Sequence, residues 1–420
     1  MKFSAYLNSI LFFTCLAYTQ NSFSIEIDSF TGEVKAQYQY SMYDDSSITS
    51  ALGDNNLYET LLDLRLKSSV THKNFQAVAH YQINRISGSS VESDKQLLSS
   101  LPVVTSQLNA QWFDLSHTIT ESDNSFTQHN IDRLFISHTT DKSVIKFGRQ
   151  ALSWGNGVVF HPMDLFNPFS PDAIDTSYQR GIDMLYAQWL FDSGSDTSFL
   201  IVPRRNLTTG ELDSSESSIA GMLHLLESQL EINILVAQDY DDKVLGLGIS
   251  GSISDAIWRT DIVPVFLDKT GTKTSLVINA EQTWQWLNKN IHGYIEYFRN
   301  GFGSTEDNIT LNNLSSTLIK RLTHLQTFNT SRDYLSLGAR IEQSALISLM
   351  PLLIHNINDH STLILLQGFY NSSQNSRIEF GLSTGTGSKG TEFSGLETAK
   401  NSNMYLQTPR QIHIRYSYYF

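Results

Sequence analysis

The chain ends in the eleven residues Arg410–Phe420, RQIHIRYSYYF, and this stretch decides the fold class. Successive side chains of a β-strand point to opposite faces, so positions two apart share a face. One face here is apolar, comprising Ile412, Ile414, Tyr416, Tyr418 and Phe420. The other face carries Gln411, His413, Arg415 and Ser417. Such a strand is expected where one side meets lipid or a core and the other meets water.

This terminal strand resembles the last strand of Gram-negative outer-membrane proteins, which ends on an aromatic residue as this chain ends on Phe420. In that family, the final Phe and the alternating residues before it are recognised by the barrel-assembly machinery. The resemblance implies that the apolar face of this strand is the assembly signal and that the assembly machinery is a partner. A soluble β-sandwich with an amphipathic last strand is the alternative.

Composition narrows the class of protein further. Of 420 residues, 40% are hydrophobic, 11% aromatic and 17% charged, which does not fit a disordered chain. The net charge of -13 at pH 7 lacks a basic footprint, so no nucleic-acid partner is expected. A single Cys cannot form a disulfide framework. The mean hydropathy of -0.21 excludes a helical membrane bundle but not a membrane β-barrel, whose apolar residues alternate with polar ones.

The N-terminus reads as a secretory signal peptide, residues 1–24. Lys2 precedes an apolar run from Ile10 to Tyr18, and small residues at Ser22 and Ser24 suit cleavage after Ser24. Cleavage would remove the only Cys and leave residues 25–420 as one barrel domain. A core helix of a cytosolic protein is the competing interpretation of this stretch.

Between the two ends, alternation of apolar and polar residues recurs. One hairpin is predicted to turn at Asp239–Asp242, and a second runs from Leu366 to Leu382 through Asn371–Ser376. Short turns such as Asp239–Lys243 resemble periplasmic turns, and longer polar segments resemble external loops. The length of the chain suggests about 16–18 strands. We therefore predict an all-β fold, a single large antiparallel transmembrane β-barrel.

One stretch departs from strand periodicity. Leu314, Leu318, Leu322 and Leu325 recur at helical spacing, and Ser315 and Ser316 are capping candidates. This pattern predicts one short amphipathic helix, packed on the barrel or plugging part of it.

A second departure is the segment from Phe147 to Asp183, which begins as a strand and then loses its alternation. Three of the eight prolines of the chain, Pro162, Pro168 and Pro171, fall within ten residues, and proline cannot donate to a sheet. The segment is also rich in large apolar residues. Irregular backbone at membrane depth is tolerated only where it is buried in protein or lines water. We therefore predict an inward-folded constriction at Trp154–Asp172.

The same region resembles a protein family. The motifs are Arg133-Leu134, Gly148-Arg149-Gln150, Ser153-Trp154-Gly155-Asn156-Gly157, Met163-Asp164-Leu165-Phe166-Asn167-Pro168 and Gly390-Thr391-Glu392-Phe393. They are similar to those of large, mostly uncharacterised Gram-negative outer-membrane proteins that are porin-like and distantly similar to alginate-export channels. The resemblance implies a β-barrel in the outer membrane.

Charged residues flank and enter this segment. The candidate lumen residues are Arg133, Arg149, Gln150, Trp154, Asp164, Arg180 and Asp183. Charge inside a pore selects solutes by sign and size, which is the functional interpretation. The structural interpretation is that the arginines pair with aspartates and fasten the segment, because buried charges are normally paired. Both interpretations can hold together.

Patterns typical of enzymes and metal sites are weak. Ser383 lies in a G-x-S-x-G match, but no helix can follow it as a nucleophile elbow requires. His161 and Asp164 lack a partner serine in good context. The acidic turn at Asp239–Asp242 suits a solvated hairpin better than a Ca²⁺ site. We expect no enzyme, no metal site and no cofactor.

The sequence therefore favours a passive, porin-like outer-membrane channel for a polar solute or an exported polymer. The alternative is a barrel plugged by its own segment, which serves as a scaffold or receptor without conductance. Expected partners are outer-membrane lipid, the assembly machinery and an unknown polar solute. A homo-oligomer is compatible with this class by analogy.

Overall fold

The computed structural model describes residues 26–100, 110–268, 271–307 and 309–420, so the predicted signal peptide lies outside the described residues. The strands, numbered in chain order, are β1 (Glu26–Met42), β2 (Asn56–His72), β3 (Phe75–Ser87), β4 (Ser116–Ser122), β5 (Ser125–Thr139), β6 (Ser143–Gln150), β7 (Ile182–Leu190), β8 (Asp196–Val202), β9 (Ser218–Glu227), β10 (Leu230–Asp239), β11 (Asp242–Ile253), β12 (Ala256–Leu267), β13 (Gly271–Trp286), β14 (Lys289–Arg299), β15 (Asp333–Glu342), β16 (Ile347–Asn356), β17 (Thr362–Ser373), β18 (Ser376–Thr386), β19 (Leu396–Glu397), β20 (Tyr405–Leu406) and β21 (Arg410–Tyr419). The helices are α1 (Ile48–Leu52), α2 (Ser89–Ser100) and α3 (Ser316–Thr323), with a 3-10 turn at Leu311–Asn313.

Eighteen of these strands, β1–β3, β5–β18 and β21, pair antiparallel in chain order and close into a barrel. The last strand closes it, because β21 pairs with β18 on one side and with β1 on the other. The backbone of Phe420 exchanges two hydrogen bonds with Gly32 of β1, at 2.8 and 3.0 Å. The predicted barrel is confirmed, with an even strand number at the upper end of the predicted range.

The side chains of the barrel are distributed in the reverse of a soluble protein. In β21, Ile414 is 54% exposed on the outer surface, whereas its neighbour Arg415 is 4% exposed and faces inward. In β10, Val236 is exposed as well, but its inward neighbour Leu235 is apolar and buried. An outer surface of exposed large apolar side chains suits lipid, and polar inward residues such as Arg415 suit water. The barrel is therefore a transmembrane one.

Strand β4 is not one of the eighteen barrel strands. Because β6 is only eight residues long, it pairs with the second half of β5, from Leu134 to Thr139. The first part of β5, Ser125–Asn130, would be left with an open edge. Strand β4 pairs with this part and satisfies the exposed backbone groups.

The two ends of the barrel differ in their connections. At the end where the chain terminates, each connection has two to five residues, as at 73–74, 228–229 and 343–346. The opposite end carries the long connections, including 88–124, 151–181, 300–332 and 387–409. Both predicted hairpins are present as β10–β11 and β17–β18. The periplasmic placement of Asp239–Lys243 is wrong, however, because strand alternation puts this turn at the long-loop end.

The predicted amphipathic helix is α3, and the Ser315 hydroxyl caps it by accepting from the Leu318 amide at 3.2 Å. Helices α1 and α2 were not predicted, since both lie in polar connections without strong apolar periodicity. Across the described ranges, helices of the length and apolarity needed to cross a membrane are absent.

Two apolar clusters form inside the barrel, both built around the connection between β6 and β7. One joins Met163, Leu165 and Phe166 to inward residues of β7–β12 and to Leu318 of α3. The other joins Val159 and Phe160 to inward residues of β13–β17. The inward segment predicted from the prolines is therefore a packed part of the interior.

Candidate constriction inside the barrel

The candidate functional site is the connection 151–181, which we call the lumen segment. It leaves the wall after Gln150 of β6 and returns at Ile182 of β7. Between these points it touches strands on opposite sides of the barrel. We describe its contacts with each side in turn.

The first side comprises the inward faces of β11, β12, β13 and β14 and is called the carboxylate wall. Glu296 of β14 accepts backbone N–H groups from Val158 at 2.6 Å, Val159 at 3.0 Å and Phe160 at 2.8 Å. Asn279 of β13 donates to Glu296 at 3.1 Å. Glu296 is fully buried, so this carboxylate is stabilised by donated hydrogen bonds from the segment.

A second carboxylate of this wall, Asp261 of β12, binds Asn156 of the segment. It accepts from the Asn156 backbone at 2.7 Å and from the Asn156 side chain at 2.8 Å. The Asn279 side chain donates to the Asn156 carbonyl at 2.9 Å. These contacts satisfy backbone groups that an irregular segment would otherwise leave unpaired inside the barrel.

Glycines of β11 permit this close approach. A Cβ atom on Gly248 would lie 2.6 Å from both the Asn156 amide nitrogen and an Asp261 carboxylate oxygen. A Cβ atom on Gly246 would lie 3.1 Å from the terminal methyl of Met163. The wall is therefore shaped to receive the segment, and Met163 is fully buried against it.

Aromatic packing adds to the same attachment. The ring of Phe160 stacks on Phe298 of β14, with centroids 4.4 Å apart. Trp154 meets Phe166 edge to face at 5.6 Å, within the segment itself. Aromatic pairs of this geometry contribute specific stabilisation beyond the area that they bury.

The opposite side of the barrel is called the ion-paired wall and comprises inward faces of β1, β2, β5, β18 and β21. Asp175 of the segment meets the Lys35 ammonium at 2.6 Å and the Arg415 guanidinium at 3.4 Å. Burial alone would raise the pKa of Asp175, but these two cations hold it well below its usual value. The segment is fixed here by charge rather than by backbone amides.

Tyr178 lies between cations on this wall. The Arg65 guanidinium is 3.5 Å from its ring centroid, and the Arg133 guanidinium is 4.6 Å away. The hydroxyl is 2.5 Å from Nδ1 of His80. Cations over the face of a tyrosine are attracted by the electron-rich ring.

Acidic partners accompany the cations of this wall. Glu33 pairs with Arg65 at 2.9 Å, and Glu379 lies 3.5 Å from Arg415. Lys67 is more open to the lumen than the others, with 28% of its side chain exposed. The wall is therefore mixed in charge and polar throughout, as a wet lumen requires.

The predicted arginines have different surroundings. Arg149 forms a bidentate pair with Asp183, at 2.8 and 2.9 Å, and both are buried. Arg133 pairs with Asp132 at 2.8 Å and also donates to the Gln179 carbonyl. Asp183 was one of the predicted residues, whereas Asp132, the neighbour of Arg133 in the chain, was not. The role of the two arginines in selectivity stays a prediction.

The other predicted residues lie within the lumen segment or directly before it. Arg180 is exposed, whereas Gln150 is buried and donates to the Met184 carbonyl at 3.4 Å. Asp164 is buried, and its carboxylate accepts from the Phe166 amide at 3.3 Å and from Gln179 at 3.4 Å. Burial raises the pKa of Asp164 to about 6.

Sequence reasoning missed the residues that anchor the segment, namely Lys35, Arg65, Asp261, Asn279, Glu296 and Arg415. Each occupies a polar-face position of a strand, which is the signal that could have marked it as inward. Many other polar positions share that signal. The path of the segment decides which ones it meets.

The acidic turn of the β10–β11 hairpin has a structural partner. Arg321 of α3 meets Asp242 at 2.6 Å, and Arg204 lies 3.7 Å from Asp239. The turn therefore holds α3 against the barrel through ion pairs. Ser383 lies within β18, opposite Leu365, rather than at a strand-to-helix elbow.

No family model and no curated protein matches the chain. Among solved structures it is similar to OccK5 (OpdH) of Pseudomonas aeruginosa, with a TM-score of 0.53 and 10% identity, over 94% of this chain and 98% of that chain. It is equally similar to OccAB3 of Acinetobacter baumannii, with a TM-score of 0.53 and 10% identity, over 94% and 99% of the two chains. These similarities show the barrel fold. They do not show the similarity to alginate-export channels implied by the sequence motifs.

Proposed function

We propose that this chain is a porin-like channel of the Gram-negative outer membrane, through which a polar solute or an exported polymer passes down its gradient. The observation that carries the proposal is an inner face that is polar and charged over β1, β2, β18 and β21 and is narrowed by the lumen segment, inside a closed barrel with an apolar outer surface. Water in such a lumen removes the cost of transferring a polar solute into hydrocarbon.

The part of the ion-paired wall that stays open to the lumen supplies the basis of solute selection. A solute passing the lumen segment meets cations such as Lys67 and carboxylates such as Asp175 there, whereas Glu296 and Asp261 are buried beneath the segment. Such a mixed surface offers hydrogen bonds and charge contacts to polar solutes and disfavours apolar ones. In this proposal Arg133, Arg149, Gln150, Trp154, Asp164, Arg180 and Asp183 shape the base of the constriction.

The orientation follows from the two ends of the barrel. Barrels of this class place short turns in the periplasm and long loops outside. We therefore place residues 88–124, 300–332 and 387–409 at the end of the barrel that faces the cell exterior. Outer-membrane lipid would contact the apolar outer face, and the alternating face of β21 would be read by the assembly machinery. A homo-oligomer is compatible with this arrangement.

A plugged barrel that acts as a scaffold or receptor is the second candidate. It is favoured by the contact of the lumen segment with both walls, through Glu296 on one side and Lys35 on the other. The two candidates differ in one measurable property, the passage of ions and small solutes.

Planar-bilayer recording of the purified barrel tests the proposal. We expect discrete current steps, and swelling of proteoliposomes in small sugars but not in large ones. Lys67→Gln, which neutralises the more exposed cation beside the segment, should shift ion selectivity toward cations. The control Lys142→Gln, at the short-turn end, should leave ion selectivity unchanged. A bilayer that stays sealed at all voltages would reject the channel and support the plugged barrel.

A further inference from the structure

A cavity of about 550 Å³ lies inside the long-loop end of the barrel, beside the lumen segment. Its volume is within the range of about 300–1,000 Å³ that is typical of small-molecule sites. Three separate parts of the chain enclose it: the segment at Ser170–Asp172, the α3 region, and the connection 387–409. Inward residues of β16 and β17 form its floor.

The lining is apolar, unlike the two walls of the constriction. Its apolar members include Leu314, Leu322, Ile354, Leu363, Phe393 and Leu406. Several belong to the two interior clusters, so the cavity lies where these clusters meet. A contiguous apolar lining of this kind is a feature of ligand-binding sites.

The charged groups of the cavity lining have one sign. Among the described lining residues, the charged ones are Asp172 and Glu392, and basic side chains are absent. The Glu392 carboxylate accepts from the Tyr334 hydroxyl at 2.5 Å and from the Asn356 amide at 2.8 Å. Its backbone N–H donates to the carboxylate of Asp359 at 2.7 Å, which places a further acidic group behind the cavity. The local potential therefore favours cations and repels anions.

We propose that this cavity binds organic cations that carry an aromatic or aliphatic group, with primary amines as the simplest class. The apolar group would occupy the space between α3 and Phe393, and the ammonium would lie toward Asp172 and Glu392. The inference rests on the proposed function for its role, since a site beside the constriction would load such a solute before passage. Binding itself does not depend on conductance.

The test is equilibrium dialysis of labelled phenethylamine against the barrel in lipid nanodiscs, with protein-free nanodiscs subtracted. Hydrocinnamate and phenethyl alcohol carry the same aromatic group with negative and zero charge. We expect saturable binding of the amine, with affinity about fivefold above that of the alcohol, and the weakest binding for hydrocinnamate.

Substitutions in the lining separate the two parts of the site. Leu406→Ser and Leu322→Ser should weaken binding of the amine and of the alcohol about tenfold each, because both lose apolar contact. Asp172→Asn should reduce the preference for the amine over the alcohol and leave alcohol binding unchanged. Glu392→Gln should act in the same direction, and Asp172→Asn keeps the test valid should the buried substitution impair folding.

Matched controls lie away from the cavity. Leu207→Ser in an exposed loop and Asp192→Asn near the short-turn end should leave all three affinities unchanged. Equal affinity for the amine and hydrocinnamate, or full binding in both leucine variants, would overturn the proposal. A barrel that binds the amine but conducts no current would refute the channel and leave the binding site standing.

Discussion

The carboxylate wall and the ion-paired wall hold the same lumen segment by different chemistry. On the carboxylate wall, Glu296 and Asp261 bind backbone N–H groups, and Met163 and Phe160 pack beside them. On the ion-paired wall, Asp175 is one-third exposed and meets cations. Buried hydrogen bonds to charged groups contribute more than exposed ion pairs, so the first attachment should be the stronger.

Glu296→Ala should have the largest effect, because it removes the stronger of the two attachments of the lumen segment. The substitution removes the acceptor of three backbone amides, and each hydrogen bond to a charged group is worth about 1.5–3 kcal/mol. We expect the segment to detach from the wall and single-channel conductance to rise severalfold, with faster hydrogen exchange at 158–160. Glu281→Ala removes the same charge from β13 without touching the segment, and an equal rise in that control would contradict the interpretation.

Asp164→Asn should remove a pH dependence of the stability of the lumen segment. The pKa of Asp164 is raised to about 6, so the protonated form is favoured in the folded state. The protonated Asp164 side chain stabilises the folded state fully below about pH 4, the pKa of Asp in the unfolded chain. This stabilisation is lost as pH rises through about 6, the pKa of Asp164 in the folded state. The loss is at most about 3 kcal/mol, because one pKa unit is worth about 1.4 kcal/mol.

Limited proteolysis of the lumen segment measures this effect. The wild type should become more susceptible between about pH 4 and 7, whereas Asp164→Asn should be equally resistant throughout. Asp172→Asn, at an exposed position of the same segment, should keep the wild-type pH dependence. A wild-type profile that is flat with pH would show that Asp164 stays ionised.

Gly248→Ala should weaken the same attachment from the wall side. The added methyl would lie 2.6 Å from Asn156 and Asp261, so the segment must move. Overpacking of this kind costs about 1–3 kcal/mol. Thermal unfolding and conductance should both change, whereas Gly53→Ala, which meets no atom within 4 Å, should behave as the wild type.

Asp175→Asn should have the smallest effect on stability, within about 1 kcal/mol, because Asp175 is one-third exposed and the two cations keep Glu33 and Glu379 as partners. The change leaves Lys35 and Arg415 less neutralised at the lumen segment. We expect a shift in reversal potential toward anions at nearly unchanged conductance. A rise in conductance as large as that expected for Glu296→Ala would show that the ion-paired wall is the main attachment of the segment.

Much of the barrel could be predicted from strand periodicity. Residues such as Ile414 and Arg415 alternate because neighbouring side chains of a strand must face opposite sides, and lipid and water impose that alternation where the inward side faces water. Prolines and large apolar residues together predicted that Trp154–Asp172 would leave the wall and pack inside, and the connection that does so spans 151–181. Helix α3 was likewise visible from its leucine spacing, and Ser315 from its capping chemistry.

The sequence by itself determined the lipid-facing side of the strands, the approximate strand number and the inward course of one connection, because these follow from local periodicity and backbone hydrogen bonding. Only the tertiary structure decided that Glu296, Asp261 and Lys35 receive the segment and that an apolar cavity forms beside it. Those contacts join residues more than a hundred positions apart, and the closure of the barrel brings them together.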